Sequence, residues 1–64
     1  MPVMAELFSK KGRKLLMVGK LSIIAAQYER LKPEEKPKYY IKFDNKIYLD
    51  KDIETLKDKY PELF

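Results

Sequence analysis

From Lys38 to Phe43 the chain alternates polar and apolar residues, Lys-Tyr-Tyr-Ile-Lys-Phe, and after Asp44-Asn45 strand composition resumes at Ile47-Tyr48-Leu49. Two such runs around turn-forming residues predict a β-hairpin. Its register follows from the rule that directly opposed residues share a face. A two-residue loop at Asp44-Asn45 would set Lys42 against Ile47. A three-residue loop, Asp44 to Lys46, sets Phe43 against Ile47 and Ile41 against Leu49, leaving one wholly apolar side. The longer loop is expected, with Lys38, Tyr40, Lys42 and Tyr48 on the opposite, outward face.

Beyond the hairpin, Ile53, Leu56 and Tyr60 recur at spacings of three and four, the stripe of an amphipathic helix over 51–60. Asp50 or Asp52 can cap its start, and Pro61 stops it near Tyr60. Leu63 and Phe64 form a short apolar tail, expected to fold back on the core.

The middle of the chain supports two patterns. Met17, Leu21, Ile24, Tyr28 and Leu31 are spaced as a helix stripe, yet Gly19-Lys20 sits between two apolar runs like a tight turn between strands. Glycine costs a helix interior about 1 kcal/mol, and Leu15 to Val18 is apolar on every side, as in a strand buried on both faces. Strands over 14–18 and 21–25, then a helical turn over 26–31, are the expectation. Lys32 to Pro37 is a loop between two halves of one core, since neither half has enough apolar residues to fold alone. The fold class is α+β: a small, mostly antiparallel sheet or partial barrel with a C-terminal helix, a single basic binding domain spanning 1–64.

Length makes that domain marginal. A chain of 64 residues buries only about 60% of the surface its unfolded form exposes. With no Cys and no His, disulfides and nearly all structural zinc chemistry are excluded, which leaves tight packing or self-association. The longest apolar run, Leu15 to Ala26, is interrupted by Lys20 and falls short of the roughly 20 residues of a membrane span. A cytoplasmic protein with no targeting segment is expected. The abundance of lysines and acids is of a kind reported for thermophiles.

The net charge of +4 is unevenly placed. Residues 1–32 set Lys10, Lys11, Arg13, Lys14, Lys20, Arg30 and Lys32 against only Glu6 and Glu29; residues 33–64 hold one more acid than lysines. A solvated, soluble surface and a polyanion site are both open readings of that surplus.

The catalytic inventory is thin. The commonest general base and the best nucleophile are missing. Ser9, Ser22 and Thr55 are the aliphatic hydroxyls, and none lies in a nucleophile motif. Glu34-Glu35 lies in a loop beside Lys36, and no glycine-rich phosphate loop or calcium loop occurs. An enzyme is not expected, and no cofactor or metal is implied.

Two features suit binding. Ser9-Lys10-Lys11-Gly12-Arg13-Lys14 gathers four cations around a glycine, where the main chain can approach a phosphate backbone. Tyr40 and Tyr48 among Lys38 and Lys42 offer stacking area beside charge. The same tyrosines would serve a protein interface or complete a second core layer.

Three segments together resemble the AbrB/SpoVT-type swapped-hairpin DNA-binding proteins: Ser9 to Arg13, Leu31 to Lys36 and Phe43 to Leu49 follow that family's S-x-K-G-R, L-K-P-G-D-K and D-G-K-I-x-L in order. The resemblance implies an intertwined homodimer that binds DNA near Lys11, Arg13 and Lys14, as a transcription regulator or antitoxin. Glu34 and Asn45 depart from it, standing where glycines are usual, and the interval from Arg13 to Leu31 is several residues long for the family. Val18-Gly19-Lys20-Leu21 also resembles a turn of small archaeal chromatin proteins. The leading expectation is a nucleic-acid binder of low base specificity, DNA before RNA, using Lys10, Lys11, Arg13, Lys14, Lys38, Tyr40, Lys42 and Tyr48. The alternative is a protein-interaction module: an accessory subunit or inhibitor of a larger replication, transcription or ribosomal complex.

Overall fold

The computed structural model describes residues 4–64. Strand β1 (Met4–Ser9) turns into β2 (Lys14–Lys20), which runs directly into helix α1 (Leu21–Glu29). A loop then leads to the hairpin of β3 (Tyr39–Phe43) and β4 (Lys46–Tyr48), and helix α2 (Ile53–Lys59) follows. The four strands form one sheet in the order β2-β1-β3-β4, every neighbouring pair antiparallel. The α+β class and the antiparallel sheet match the sequence expectation.

Both helices lie on one face of this sheet. Ala5 and Leu7 from β1, Ile41 and Phe43 from β3 and Tyr48 from β4 point into a core completed by Leu21, Ile24, Ala25 and Tyr28 of α1 and by Ile53 and Leu56 of α2. Alternation by two along the strands and by three and four along the helices accounts for this set. Removing these side chains from water supplies the main drive to fold, at about 25 cal/mol per Å² of apolar surface. Among the described residues, no charged or other polar residue is buried with them.

Tyr28 shows how a polar tip is accommodated at the core's edge. Its ring is almost wholly buried, and its hydroxyl donates to the Lys36 carbonyl at 3.1 Å. That bond ties α1 to the turn of 3-10 helix at Lys36–Lys38, which delivers the chain to β3. Lys10 N–H donates to the Lys38 carbonyl at 2.9 Å, extending the β1–β3 ladder past Ser9 and Tyr39.

Several sequence expectations are corrected. Residues 21–25 are not a strand: they begin α1, because Leu21, Ile24, Ala25 and Tyr28 make a helical stripe that packs on β1, β2 and β3. Gly19-Lys20 closes β2 just ahead of that helix instead of turning a hairpin. The strand expected to be buried on both faces is a sheet edge, with Leu15 to Val18 all exposed. Strand β1, absent from the sequence reading, occupies the centre of the sheet beside β3.

A further correction changes the candidate site. The β3–β4 loop has two residues, pairing Phe43 with Lys46, Lys42 with Ile47 and Ile41 with Tyr48. Asp44 and Asn45 adopt φ of 52° and 62°, the left-handed pair of a type I′ turn, whose twist suits adjacent strands and which Asp and Asn tolerate. Tyr48 therefore turns into the core and Ile47 faces outward, the reverse of the expected arrangement.

The C-terminal helix lies where the sequence placed it, preceded by a 3-10 turn at Asp50–Asp52. The Asp52 carboxylate accepts the Leu49 N–H at 3.0 Å, holding the entry to the helix. Tyr60 packs edge-on to Phe43 at 5.3 Å between centroids, and Leu63 rests against the core while Phe64 stays exposed. No helix among the described residues is long and apolar enough to cross a membrane.

Candidate nucleic-acid interface

The sheet face opposite the helices carries the candidate site. Directly opposed residues define its rows: Val18, Glu6, Lys42 and Ile47 in one, Leu15, Phe8 and Tyr40 in the next. Phe8 and Tyr40 are half-buried and stack, with ring planes 6° apart and centroids 5.4 Å apart. Neighbouring strands lie about 4.8 Å apart, so cross-strand rings at opposed positions come into this offset contact by backbone geometry alone.

Cations border the stacked rings. Phe8, Tyr40, Lys10, Arg13, Lys42, Ile47 and Leu49 line one shallow concavity of about 710 Å³. Lys10 and Arg13 reach it because β1 and β2 are joined by a single 3-10 turn, Lys11–Arg13. Gly12 and Arg13 there adopt φ of 72° and 49°. A left-handed arginine is uncommon, and this one brings a guanidinium to the edge of the aromatic surface. A bulge at Leu16, where β2 passes from pairing Met17 with Leu7 to pairing Leu15 with Phe8, re-aims the same end of the hairpin.

Pairing with acids separates the cations into two groups. Lys36 lies 3.7 Å from Asp50, Lys38 3.6 Å from Glu35 and Lys57 2.6 Å from Glu29. Among the described residues, Lys10, Lys11, Arg13, Lys14 and Lys42 form no such pair. Glu6, opposite Lys42, is the acid that shares the outer face.

Of the eight candidate residues, the structure brings Lys10, Arg13, Tyr40 and Lys42 together around one concavity. Lys11 is exposed at the tip of the β1–β2 hairpin beside it, whereas Lys14, opposite Ser9 and one step from the outward Phe8–Leu15 pair, is exposed on the helix side of the sheet and is not part of this surface. Lys38 belongs elsewhere: it lines a neighbouring hollow with Lys10, Lys11 and Glu35, and Glu35 offsets its charge. Tyr48 is removed from the site by its burial.

Phe8, Ile47 and Leu49 were missed. The alternation Ala5-Glu6-Leu7-Phe8 is blurred because Leu7 and Phe8 are both apolar, so the sequence gives no clean strand signal there. The two-residue loop was the signal that would have found Ile47.

Comparison with known proteins adds no relative: no family model matches the chain, and no curated protein or solved structure matches it.

Proposed function

We propose that this chain is a non-enzymatic nucleic-acid-binding module whose open sheet face holds a phosphate backbone with Lys10, Arg13 and Lys42, supported by Lys11 at the hairpin tip. One observation carries the reading: cations free of acid partners converge on the same concavity as a stacked aromatic pair. Each phosphate neutralised by such a cation releases condensed counterions, which favours binding at low salt. Contacts of this kind position a polymer without reading its bases, so base specificity is low. The absence of His and Cys supports binding over catalysis. The likeness of the Ser9 to Arg13 segment to swapped-hairpin proteins makes DNA the first polymer to test, before RNA.

The test is a salt-titrated binding measurement with generic DNA, offered both single-stranded and as duplex. Affinity for at least one form should fall steeply between about 50 and 200 mM salt. Reversing Lys10, Arg13 and Lys42 to Glu should weaken it by about a hundredfold or more. Salt-insensitive binding, or no binding to either form at low salt, would overturn the reading.

A second reading rests on β2. An unpaired edge strand of seven residues with Leu15 to Val18 exposed is a template for adding a strand from another chain. This favours a protein contact, within a homodimer or a larger assembly, at a place separate from the cationic concavity. Sedimentation of the chain alone, with and without Val18→Lys, tests the homodimer: a dimer that the substitution dissociates supports self-pairing, and a monomer in both overturns self-pairing.

A further inference from the structure

We infer that the open sheet face takes single-stranded nucleic acid in preference to duplex, with unpaired bases laid over Phe8 and Tyr40; this rests on the nucleic-acid reading above and specifies its ligand. The geometry of the face decides between the two forms. A B-form major groove about 12 Å wide admits one helix or a two-stranded ribbon. Four strands spaced about 4.8 Å apart make a surface roughly 14 Å across before side chains are added.

The helices offer no substitute. Helix α1, Leu-Ser-Ile-Ile-Ala-Ala-Gln-Tyr-Glu, contains no cation. In α2, Lys57 and Lys59 are interleaved with Glu54 and Asp58, and Lys57 is held by Glu29. Neither helix presents a basic face to a groove.

The floor of the concavity points the same way. Phe8, Tyr40, Ile47 and Leu49 place apolar and aromatic surface between Lys10, Arg13 and Lys42, and Ile47 and Leu49 are 60% and 40% exposed. A duplex presents phosphates and keeps its base faces stacked inside, so it has nothing to lay on that floor. An unpaired strand has both parts. Its bases bring flat apolar faces, and its backbone brings the charge that the three cations bind. Because the Phe8 and Tyr40 planes are 6° apart, a base stacked on either ring continues one column without reorientation. Glu6, opposite Lys42 on this face, repels the backbone from the far end of β1. The phosphates are thereby directed toward the Lys10–Arg13 turn.

Fluorescence anisotropy with three probes of equal length, about 12 units, separates base stacking from charge: oligothymidylate, a duplex, and an abasic deoxyribose-phosphate strand. Oligothymidylate should bind at least about tenfold tighter than either of the others. Tyr40→Ala should weaken oligothymidylate by about tenfold and leave the abasic strand unchanged, whereas Tyr40→Phe should retain affinity. Thermal melting of each variant confirms that the fold is kept. Duplex binding as tight as single-strand binding, equal binding of the abasic strand, or a loss in Tyr40→Phe as large as in Tyr40→Ala would overturn this inference while the nucleic-acid reading stands. Failure of all three probes to bind would overturn both.

Discussion

Successive residues of β3 belong to two different surfaces. Ile41 and Phe43 point under the helices and are almost wholly buried, while Tyr40 and Lys42, one step away, point to the open side. The buried part of the covered face is formed by apolar and aromatic side chains, and among the described residues no charge is buried there. The open face mixes a stacked aromatic pair, exposed aliphatic side chains and cations with no acid partner. A chain of 64 residues has little stability to spare, and one helix-covered face already accounts for its core. The apolar surface on the other side is therefore surplus to folding, and large exposed apolar patches ordinarily mark contact sites.

The largest expected effect lies on the covered face. Phe43→Ala should cost about 3–5 kcal/mol of stability, enough to unfold much of the population, because the ring fills the core and packs against Tyr60. Tyr40→Ala on the open face should cost only about 1 kcal/mol, the stacking contact with Phe8. Urea unfolding of both variants checks this, and equal losses would break the distinction between the faces.

Charge reversal comes next. Lys10→Glu with Arg13→Glu and Lys42→Glu should lower single-strand affinity by about a hundredfold or more and reduce the salt slope by about 0.7 per lost phosphate contact. The melting temperature should stay near that of the parent chain, since none of the three contributes to the core.

A smaller effect sits at the edge of the core. Tyr28→Phe removes the hydroxyl that donates to Lys36 and should cost about 1 kcal/mol. Burial raises the Tyr28 phenol above its usual value, and the Asp50 carboxylate adds to the rise. The folded chain thus holds this proton longer than the unfolded one. Its contribution to stability is complete below pH about 10 and is lost as pH rises through the folded value. Unfolding measured on the alkaline side should fall off less steeply in Tyr28→Phe than in the parent. An unchanged slope would contradict the assignment.

The smallest effect should come from the exposed edge. Val18→Lys should alter stability by no more than about 0.5 kcal/mol, because Val18 is 52% exposed on an unpaired strand. A large loss in the isolated chain would mean that β2 is buried against something in solution.

How much of this was legible in the sequence depends on which physical signal each segment carries. The β3–β4 hairpin and helix α2 were readable because turn residues and a clean period of three to four bracket them. Helix α1 was misread because Gly19 mimics a turn, although Leu21, Ile24, Ala25 and Tyr28 already held its stripe. Strand β2 reads as core by composition, but burial depends on the neighbours a strand acquires, and β2 takes the edge. In the hairpin, a three-residue loop would have given one purely apolar face. The observed turn instead satisfies Asp44 and Asn45 in left-handed backbone, and it sends Tyr48 inward and Ile47 outward. That single shift of register decides the composition of the open face. Tyr40, Lys42, Lys10 and Arg13 were identifiable as candidates from their residue types alone. Their convergence with Phe8 was not, because it needs β1 to lie beside β3.

The most direct test is a map of backbone amide shifts during titration with oligothymidylate. The perturbed amides should cluster on Phe8, Lys10, Arg13, Tyr40, Lys42 and Ile47, while those along the outward sides of α1 and α2 stay still. Shifts concentrated on the helices, with the sheet residues silent, would contradict the assignment of the ligand to the uncovered face.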